Sequence, residues 1–451
     1  MKRYAEQQLE LWKNNPLRKP LLVMGARQVG KTWLMQDFGR KHFRDVVYIS
    51  FDSNERMRAA FQGGYGVERL MMMLQSESGV KIDAQNTLII FDEVQECPQA
   101  LTSLKYFCEN AREYHIMAAG SLLGLQVHEG TGFPVGKVDM INLYPMTFCE
   151  YLEAIGQSSM VEMMQKQDWD MVSIFADRII EYLKQYYYVG GMPEAVDTFV
   201  QTQDYAAVRR VHHTLLAGYR KDFSKHAPAA LTPRISMIWD SIPQQLSREN
   251  KKFLCKEVAP GMRMRDIECA LHWLVDAGLV HMVSRVKKAA FPPAAYRDNA
   301  FKVFFVDVGL LATMADLDVQ SIVDGNRIFT EFKGALAEQY VQQQLRASGE
   351  RELFYWSSHQ SDIEIDFAFA CGAAFVPVEV KAEYNLQSKS LLTFCRKQQT
   401  ALAVRTSMSH YKVNTPPVAA PGIVFTLVDL PLYAVEQAFS VCDGLMKSAH
   451  V

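Results

Sequence analysis

Residues 25–32, near the start of the chain, have the residue types and spacing of a phosphate-binding loop. They read Gly-Ala-Arg-Gln-Val-Gly-Lys-Thr and fit the pattern G-x-x-x-x-G-K-[ST]. Glycines let the backbone curl so that its N–H groups point at a phosphate, and the following helix adds its positive end. Lys31 is placed to reach the β- and γ-phosphates of a nucleotide, and the Thr32 hydroxyl is placed to bind Mg²⁺. The alternative is a plain bend between a strand and a helix. The predicted nucleotide-binding residues are Gly25, Ala26, Arg27, Gln28, Val29, Gly30, Lys31 and Thr32.

Asp92 and Glu93 form a pair of carboxylates at the end of the apolar run 88–91. Asp92 at the tip of a strand can hold magnesium through water, and Glu93 can polarise the attacking water as a general base. Such a pair is common by itself, but here it follows a phosphate loop. GTPase-type sites lack the glutamate, so the pair favours ATP hydrolysis. The sequence therefore predicts ATP and Mg²⁺ as ligands, with Thr32 and Asp92 at the metal and Lys31 and Glu93 as catalytic residues.

Ser121 follows the apolar run 115–119 and is the third candidate for the catalytic set. A polar side chain at this point would lie between the phosphate loop and the carboxylate pair, near the γ-phosphate. Its alternative role is a simple helix N-cap.

A second group of charged residues lies near the C-terminus. Glu338 lies in a predicted helix, while Asp366 and Glu379 lie in two predicted strands joined by residues 371–373. A two-residue turn there places Asp366 opposite Glu379, and Glu379 shares one strand face with Lys381. Two acids and a lysine at one place can bind Mg²⁺ and orient a water for phosphodiester cleavage. The alternative is a salt-bridge cluster without activity.

Five short apolar runs in the first third of the chain have the length of β-strands. They lie at residues 20–24, 46–51, 87–91, 115–119 and 141–143. Runs that are apolar throughout and alternate with helix-length segments predict a parallel sheet covered on both faces. The sequence therefore predicts an α/β domain over residues 1–155.

The rest of the chain divides into three predicted regions. Residues 156–228 are mainly helical, with a break at Gly190–Gly191, and residues 229–290 have the order helix, helix, helix, strand of a winged helix. Pro292 and Pro293 mark the clearest break in the second half, so a further α/β domain is expected over residues 291–451.

Charge is uneven along a chain whose formal net charge is −2. Residues 201–300 hold 16 Lys and Arg against 9 Asp and Glu, a net of +7. A basic middle permits a DNA contact, and Arg263, Arg265 and the segment 285–288 are the candidate contacts of the winged helix. The alternatives are a solvated surface and a winged helix that serves as a protein spacer.

The remaining composition argues against several other classes of protein. The eight cysteines are scattered without a Cys-x-x-Cys pair, so reduced and mostly buried thiols are expected in place of a metal or disulfide framework. No stretch of 18 apolar residues occurs, and the first residues lack a secretory pattern. The expectation is a cytoplasmic chain without a membrane span.

These segments together resemble the AAA-type ATPases of bacteria and archaea that carry a C-terminal domain of unknown function. The resemblance covers nearly the whole chain and is carried by residues 25–32, 91–95, 119–124, 133–138, 143–148, 189–194, 219–222 and 305–311. It implies an AAA-like parallel sheet core, a helical lid, a winged helix and a C-terminal restriction-endonuclease-like α/β domain. The residues Glu338, Asp366, Glu379 and Lys381 resemble the PD-(D/E)xK nuclease signature.

Three functional hypotheses follow from the sequence. The first is an ATPase that can form a homo-oligomer and is coupled to DNA through residues 201–300, with or without its own nuclease. The second is a nucleotide switch that binds a protein partner and hydrolyses little ATP. The third is a metal-dependent nuclease gated by ATP.

Overall fold

A computed structural model describes residues 1–120, 133–248, 251–319, 330–358, 363–384, 386–415 and 425–448. The chain forms two compact units. The first contains Met1–Pro145 and His272–Leu279, and the second contains Met146–Leu271 and Val280–Val451.

The first unit is built on a five-stranded parallel sheet. Its strands are β1 (Leu21–Met24), β2 (Asp45–Ser50), β3 (Thr87–Asp92), β4 (His115–Ala119) and β5 (Asp139–Asn142). Their spatial order is β2-β3-β4-β1-β5, and every neighbouring pair is parallel. The predicted parallel sheet is therefore confirmed, with each strand within two residues of a predicted apolar run.

Helices lie before β1 and in each connection from β1 to β4, and they cover the apolar residues of the sheet. They are α1 (Ala5–Asn14), α2 (Lys31–His42), α3 (Glu55–Gln62), α4 (Val67–Ser78) and α5 (Pro98–Asn110). The side chains of Phe51, Phe61 and Phe91 meet edge to face in the core, with ring centroids 5.4–5.7 Å apart. Parallel strands end at one edge of a sheet, so the segments after β1 and β3 come together.

The second unit begins with a run of helices. They are α6 (Phe148–Ala154), α7 (Ser158–Gln165), α8 (Trp169–Ile174), α9 (Ala176–Val189), α10 (Pro193–Thr202), α11 (Tyr205–His226), α12 (Thr232–Ser247) and α13 (Cys255–Val258). Helix α14 (Met264–Asp276) begins in the second unit and ends in the first. Thr147 and Glu150 form a capping box that fixes the start of α6.

An eight-stranded sheet forms the core of the second unit. Its strands are β6 (Val280–Val286), β7 (Arg297–Phe305), β8 (Phe354–Ser357), β9 (Glu364–Cys371), β10 (Ala374–Val380), β11 (Leu402–Ser407), β12 (Lys412–Asn414) and β13 (Thr426–Pro431). They lie in the order β12-β13-β11-β10-β9-β8-β6-β7. Helices α15 (Val308–Met314), α16 (Thr330–Ala347), α17 (Lys389–Gln398) and α18 (Ala438–Ser448) complete the unit.

The predicted boundary at residue 290 does not separate two sheets. Strand β6, placed by the sequence in the winged-helix region, pairs in parallel with β8 from Ser284 to Val286. The order of helices α12 to α14 followed by the β6–β7 hairpin agrees with the predicted order of elements. The hairpin, however, is also the end of the C-terminal sheet, so its strands have a structural role that local sequence patterns do not reveal.

Two of the segments that carried the family resemblance contact each other in the second unit. Asp307 is buried at the start of α15, and its carboxylate accepts the backbone N–H groups of Gly309, Leu310 and, at 2.6 Å, Gly191. A Cβ atom on Gly190 would lie 2.1 Å from the Asp307 carboxylate. These residues therefore have a structural reason to be glycine and aspartate.

Candidate functional site

The phosphate loop joins the end of β1 to the start of α2, as predicted. Gly30, the residue before α2, has a left-handed backbone with φ of 93°, which favours glycine. Gly25 has φ of 138°, and a Cβ atom there would lie 2.2 Å from the carbonyl oxygen of Leu143. Both glycines are therefore required by the shape of the loop, and the first turn of α2 presents its unpaired N–H groups beside it.

Lys31 is the first residue of α2, and its ammonium group folds back onto the loop. Its Nζ donates to the carbonyl oxygens of Gly25 at 2.9 Å and Ala26 at 2.8 Å. Burial lowers the pKa of Lys31 to about 8, although the charges of Glu93 and Asp92 oppose this shift. The ammonium group is bound to neutral carbonyls and can exchange them for phosphate oxygens.

Asp92 ends β3 and receives hydrogen bonds from three elements of the first unit. Its Oδ2 accepts the hydroxyl of Thr32 at 2.7 Å and the phenol of Tyr48 at 2.9 Å. Its Oδ1 accepts the backbone N–H of Glu93 at 3.0 Å. The structure thus brings Thr32 to Asp92 as predicted, and it adds Tyr48 of β2, which no motif indicates.

Glu93 follows Asp92 with a left-handed backbone, φ 52°, and begins the 3₁₀ turn Val94–Glu96. Its carboxylate accepts a hydrogen bond from the side chain of Gln95. A non-glycine residue in this region of φ carries backbone strain, which is frequent at functional sites. The strained turn keeps Glu93 at the edge of the sheet beside Asp92.

The donor set of this site fits Mg²⁺ and the phosphates of a nucleotide. The Thr32 hydroxyl and the Asp92 carboxylate are hard oxygen donors, which Mg²⁺ prefers. The curled loop and Lys31 supply positive partners for phosphate oxygens. Ser121, the predicted sensor, lies outside the described residues.

The four acidic and basic residues of the C-terminal signature also come together, within the second unit. Glu338 lies on α16, Asp366 on β9 and Glu379 on β10, with Lys381 directly after β10. The hairpin register is confirmed, because Cys371 pairs with Ala374 as predicted.

Each signature residue has a close partner. The Lys381 Nζ lies 2.8 Å from Glu379, and Asp366 accepts the backbone N–H of Val380 at 2.8 Å. Burial, together with the charges of Glu338 and Glu379, raises the pKa of Asp366 well above its usual range. Burial also raises the pKa of Glu379, although Lys381 opposes the shift.

Three further charged residues belong to this group, and the sequence did not indicate them. Lys302 of β7 is 1% exposed and lies 2.6 Å from Glu364 and 3.5 Å from Glu338. Lys251, also buried, forms an ion pair with Glu338. Burial opposes the ionisation of Glu338, but Lys251 and Lys302 together lower its pKa. Glu338, Glu364, Asp366 and Glu379 together with Lys251, Lys302 and Lys381 form the carboxylate cluster.

The predicted DNA contacts differ in exposure. Arg263 and Arg265 are exposed, whereas Arg285 is buried and its Nε donates to Asp298 at 3.1 Å. The inclusion of Arg285 among the DNA contacts was therefore wrong, because its guanidinium is already paired inside the sheet.

Comparison with protein families identifies three regions. Residues 17–152 match a family model described as an AAA domain. Residues 180–321 and 333–432 match two models described as domains of unknown function, DUF8612 and DUF4143. The phosphate loop and the Asp92–Glu93 pair lie in the first match, so the AAA-type P-loop domain predicted for this part of the chain is confirmed. The helical lid, the winged helix and the nuclease-like fold stay predictions.

Three solved structures match this chain with low similarity. The Walker-type ATPase PABY2304 of Pyrococcus abyssi is 14% identical over 70% of this chain and 95% of that chain, with a TM-score of 0.42. ORC1 of Aeropyrum pernix in complex with DNA is 12% identical over 70% and 93%, with a TM-score of 0.27. AMPPCP-bound DnaA of Aquifex aeolicus is 13% identical over 60% and 85%, with a TM-score of 0.25.

The comparison with curated protein sequences finds no match. Among the described residues, no helix combines the length and the apolar composition needed to cross a bilayer.

Proposed function

We propose that this chain binds ATP with Mg²⁺ and hydrolyses it at the site of the first unit. The observation that carries the proposal is the meeting of Lys31, Thr32 and the Asp92–Glu93 pair at one edge of a parallel sheet. Each of these side chains has the chemistry that phosphoryl transfer to water requires.

In this proposal the residues have separate tasks. The N–H groups of the loop and Lys31 bind the β- and γ-phosphates and stabilise the charge that develops on them. Bound Mg²⁺ would neutralise phosphate charge, held by the Thr32 hydroxyl and, through water, by Asp92. Glu93 orients the attacking water and accepts its proton.

The test is the rate of Mg²⁺-dependent ATP hydrolysis by the wild type and by Glu93→Gln. Glu96→Gln is the matched control, because it makes the same change three residues further along the same turn. We expect Glu93→Gln to lose hydrolysis about 100-fold or more and the control to keep it. Equal rates in all three proteins would contradict the role of Glu93.

We further propose that DNA is a partner of the ATPase, on the basis of the net charge of +7 over residues 201–300 and the exposed Arg263 and Arg265. The hydrolysis assay is therefore repeated with duplex and single-stranded DNA. Stimulation that weakens steeply with salt supports phosphate contacts. A rate that DNA does not change at low salt contradicts this part of the proposal alone.

One observation favours a second candidate, the nucleotide switch with slow turnover. The carboxylate of Glu93 is occupied by the side chain of Gln95, so it is restrained before any water binds. If this bond limits turnover, Gln95→Ala will hydrolyse ATP faster than the wild type. A slower Gln95→Ala enzyme would show that Gln95 helps to position Glu93, and the switch would lose its support.

A further inference from the structure

The carboxylate cluster of the second unit resembles a nuclease site, which would use Mg²⁺. The resemblance rests on the four residues of the signature, whereas the structure places seven charged residues in the cluster. A divalent ion fits only if the carboxylates are not already paired with other cations.

Glu338, the acid supplied by α16, has a lysine near each of its oxygens. Its Oε1 is paired with Lys251, and its Oε2 lies 3.5 Å from the Nζ of Lys302. The same Lys302 lies 2.6 Å from Glu364, so one ammonium group lies within ion-pair distance of two carboxylates. Both lysines are buried, with 8% exposure for Lys251 and 1% for Lys302.

The strand acids are engaged as well. Glu379 is paired with Lys381 at 2.8 Å, and Asp366 accepts the backbone N–H of Val380. Among the described residues, Asp366 is therefore the one acid of the cluster without an ammonium group in ion-pair contact.

The balance of charge argues against a metal. Four carboxyl groups face three ammonium groups, so at most one negative charge is left in excess. A divalent ion would bring this partly buried group a net positive charge unless a lysine left. Lys302 is almost fully enclosed, and moving a buried ammonium group away from its partners leaves uncompensated charges on both sides.

We infer that Lys251 and Lys302 are the resident cations of the carboxylate cluster, and that they take the place a divalent metal ion would have in a nuclease. The cluster then stabilises the second unit and does not cleave phosphodiesters with a metal. This inference is independent of ATP hydrolysis in the first unit.

The first experiment measures Mn²⁺ binding to the full-length chain without nucleotide, from the electron paramagnetic resonance signal of free Mn²⁺. The wild type is compared with Asp366→Asn, which would remove a ligand from a C-terminal metal site and leaves the phosphate loop intact. We expect both proteins to bind the same number of Mn²⁺ ions. One additional ion on the wild type would overturn the inference.

The second experiment replaces the cation itself. Lys302→Met keeps the length of the side chain and removes its charge, and the matched control is Lys287→Met, where the lysine is 64% exposed. We expect a lower Tm for Lys302→Met than for the control, and a larger rise of Tm on adding Mn²⁺, because the acids lack a cation. A Tm equal to that of the control would contradict the inference. If Lys302→Met does not fold, the inference is tested by the Mn²⁺ binding of the wild type and Asp366→Asn.

Discussion

The nucleotide site of the first unit and the carboxylate cluster of the second unit both contain a buried lysine close to carboxylates, but these lysines differ in their partners. Lys31 donates to two neutral carbonyl oxygens of its own loop. Lys302 lies against the charged side chains of Glu338 and Glu364. A lysine held by carbonyls can exchange them for a phosphate, whereas a lysine that neutralises buried acids cannot leave without a large cost.

The difference shows that similar residue types can form a site or a structural core. In the first unit, the loop and the helix end supply positive partners that await an anion. In the second unit, Lys251, Lys302 and Lys381 each lie within ion-pair distance of an acid of the same cluster.

The largest expected effect is the loss of stability in Lys302→Met. Removing one partner of a buried ion pair costs about 3–5 kcal/mol, because the remaining charge stays buried and unpaired. Urea unfolding followed by circular dichroism will measure it, and ATP hydrolysis per folded molecule should be unchanged. A stable variant would remove the contrast between the two lysines.

We expect Lys31→Ala to lose ATP hydrolysis and to keep its stability, the reverse of Lys302→Met. ATP hydrolysis is expected to fall about 100- to 1,000-fold, the cost of removing one donor that stabilises the transition state. The free energy of unfolding should not fall at pH 7, because burial lowers the pKa of Lys31 to about 8 and thus disfavours its charge in the folded state. Lys41→Ala on the same helix is the control, since its lysine is half exposed and paired with Glu6 and Asp37. A large loss of stability in Lys31→Ala, without a similar loss in Lys41→Ala, would mean that Lys31 stabilises the fold as Lys302 does.

Glu436 sharpens the contrast within the second unit, because it is a partly buried acid without a lysine among the partners that the structure describes. Burial raises its pKa to about 7, while the backbone N–H of Cys149, which donates at 2.8 Å, opposes the shift. The folded state therefore binds the proton of Glu436 more tightly than the unfolded state does. The resulting stability is present below pH 4.5 and is lost as the pH rises through 7.

Glu436→Gln keeps an acceptor for Cys149 and removes this titration. Between pH 5 and pH 8, the wild type should lose up to about 3 kcal/mol of stability relative to the variant. Urea unfolding at both pH values measures the difference. The same loss in both proteins would assign the pH dependence to other groups.

The smallest expected effect comes from Tyr48→Phe in the first unit. The Tyr48 phenol donates to Asp92 Oδ2, the oxygen that also accepts the Thr32 hydroxyl. Without this donor, the carboxylate becomes a better acceptor for metal-bound water. The Mg²⁺ concentration for half-maximal hydrolysis should fall roughly fivefold, corresponding to about 1 kcal/mol for one hydrogen bond. A rise would mean that Tyr48 holds Asp92 in its active position.

The sequence by itself determined the parts of this protein that depend on neighbours along the chain. The five apolar runs predicted the parallel sheet, the glycine pattern predicted the loop before α2, and the turn at Gly372–Ala373 predicted the register of β9 with β10. Each of these follows from backbone geometry or from the alternation of side chains over a few residues. The sequence also placed Thr32 and Asp92 at one Mg²⁺ ion, and the two side chains share a hydrogen bond in the structure.

Only the tertiary structure decided which charges are already paired. Lys251 meets Glu338 across 87 residues, Tyr48 reaches Asp92 across 44 residues, and Arg285 is buried against Asp298. The residue type does not reveal whether a lysine or an arginine in a strand faces solvent or an acid from a distant helix. The energy of a charge depends on its burial and on its partner, and both are set by how distant segments pack.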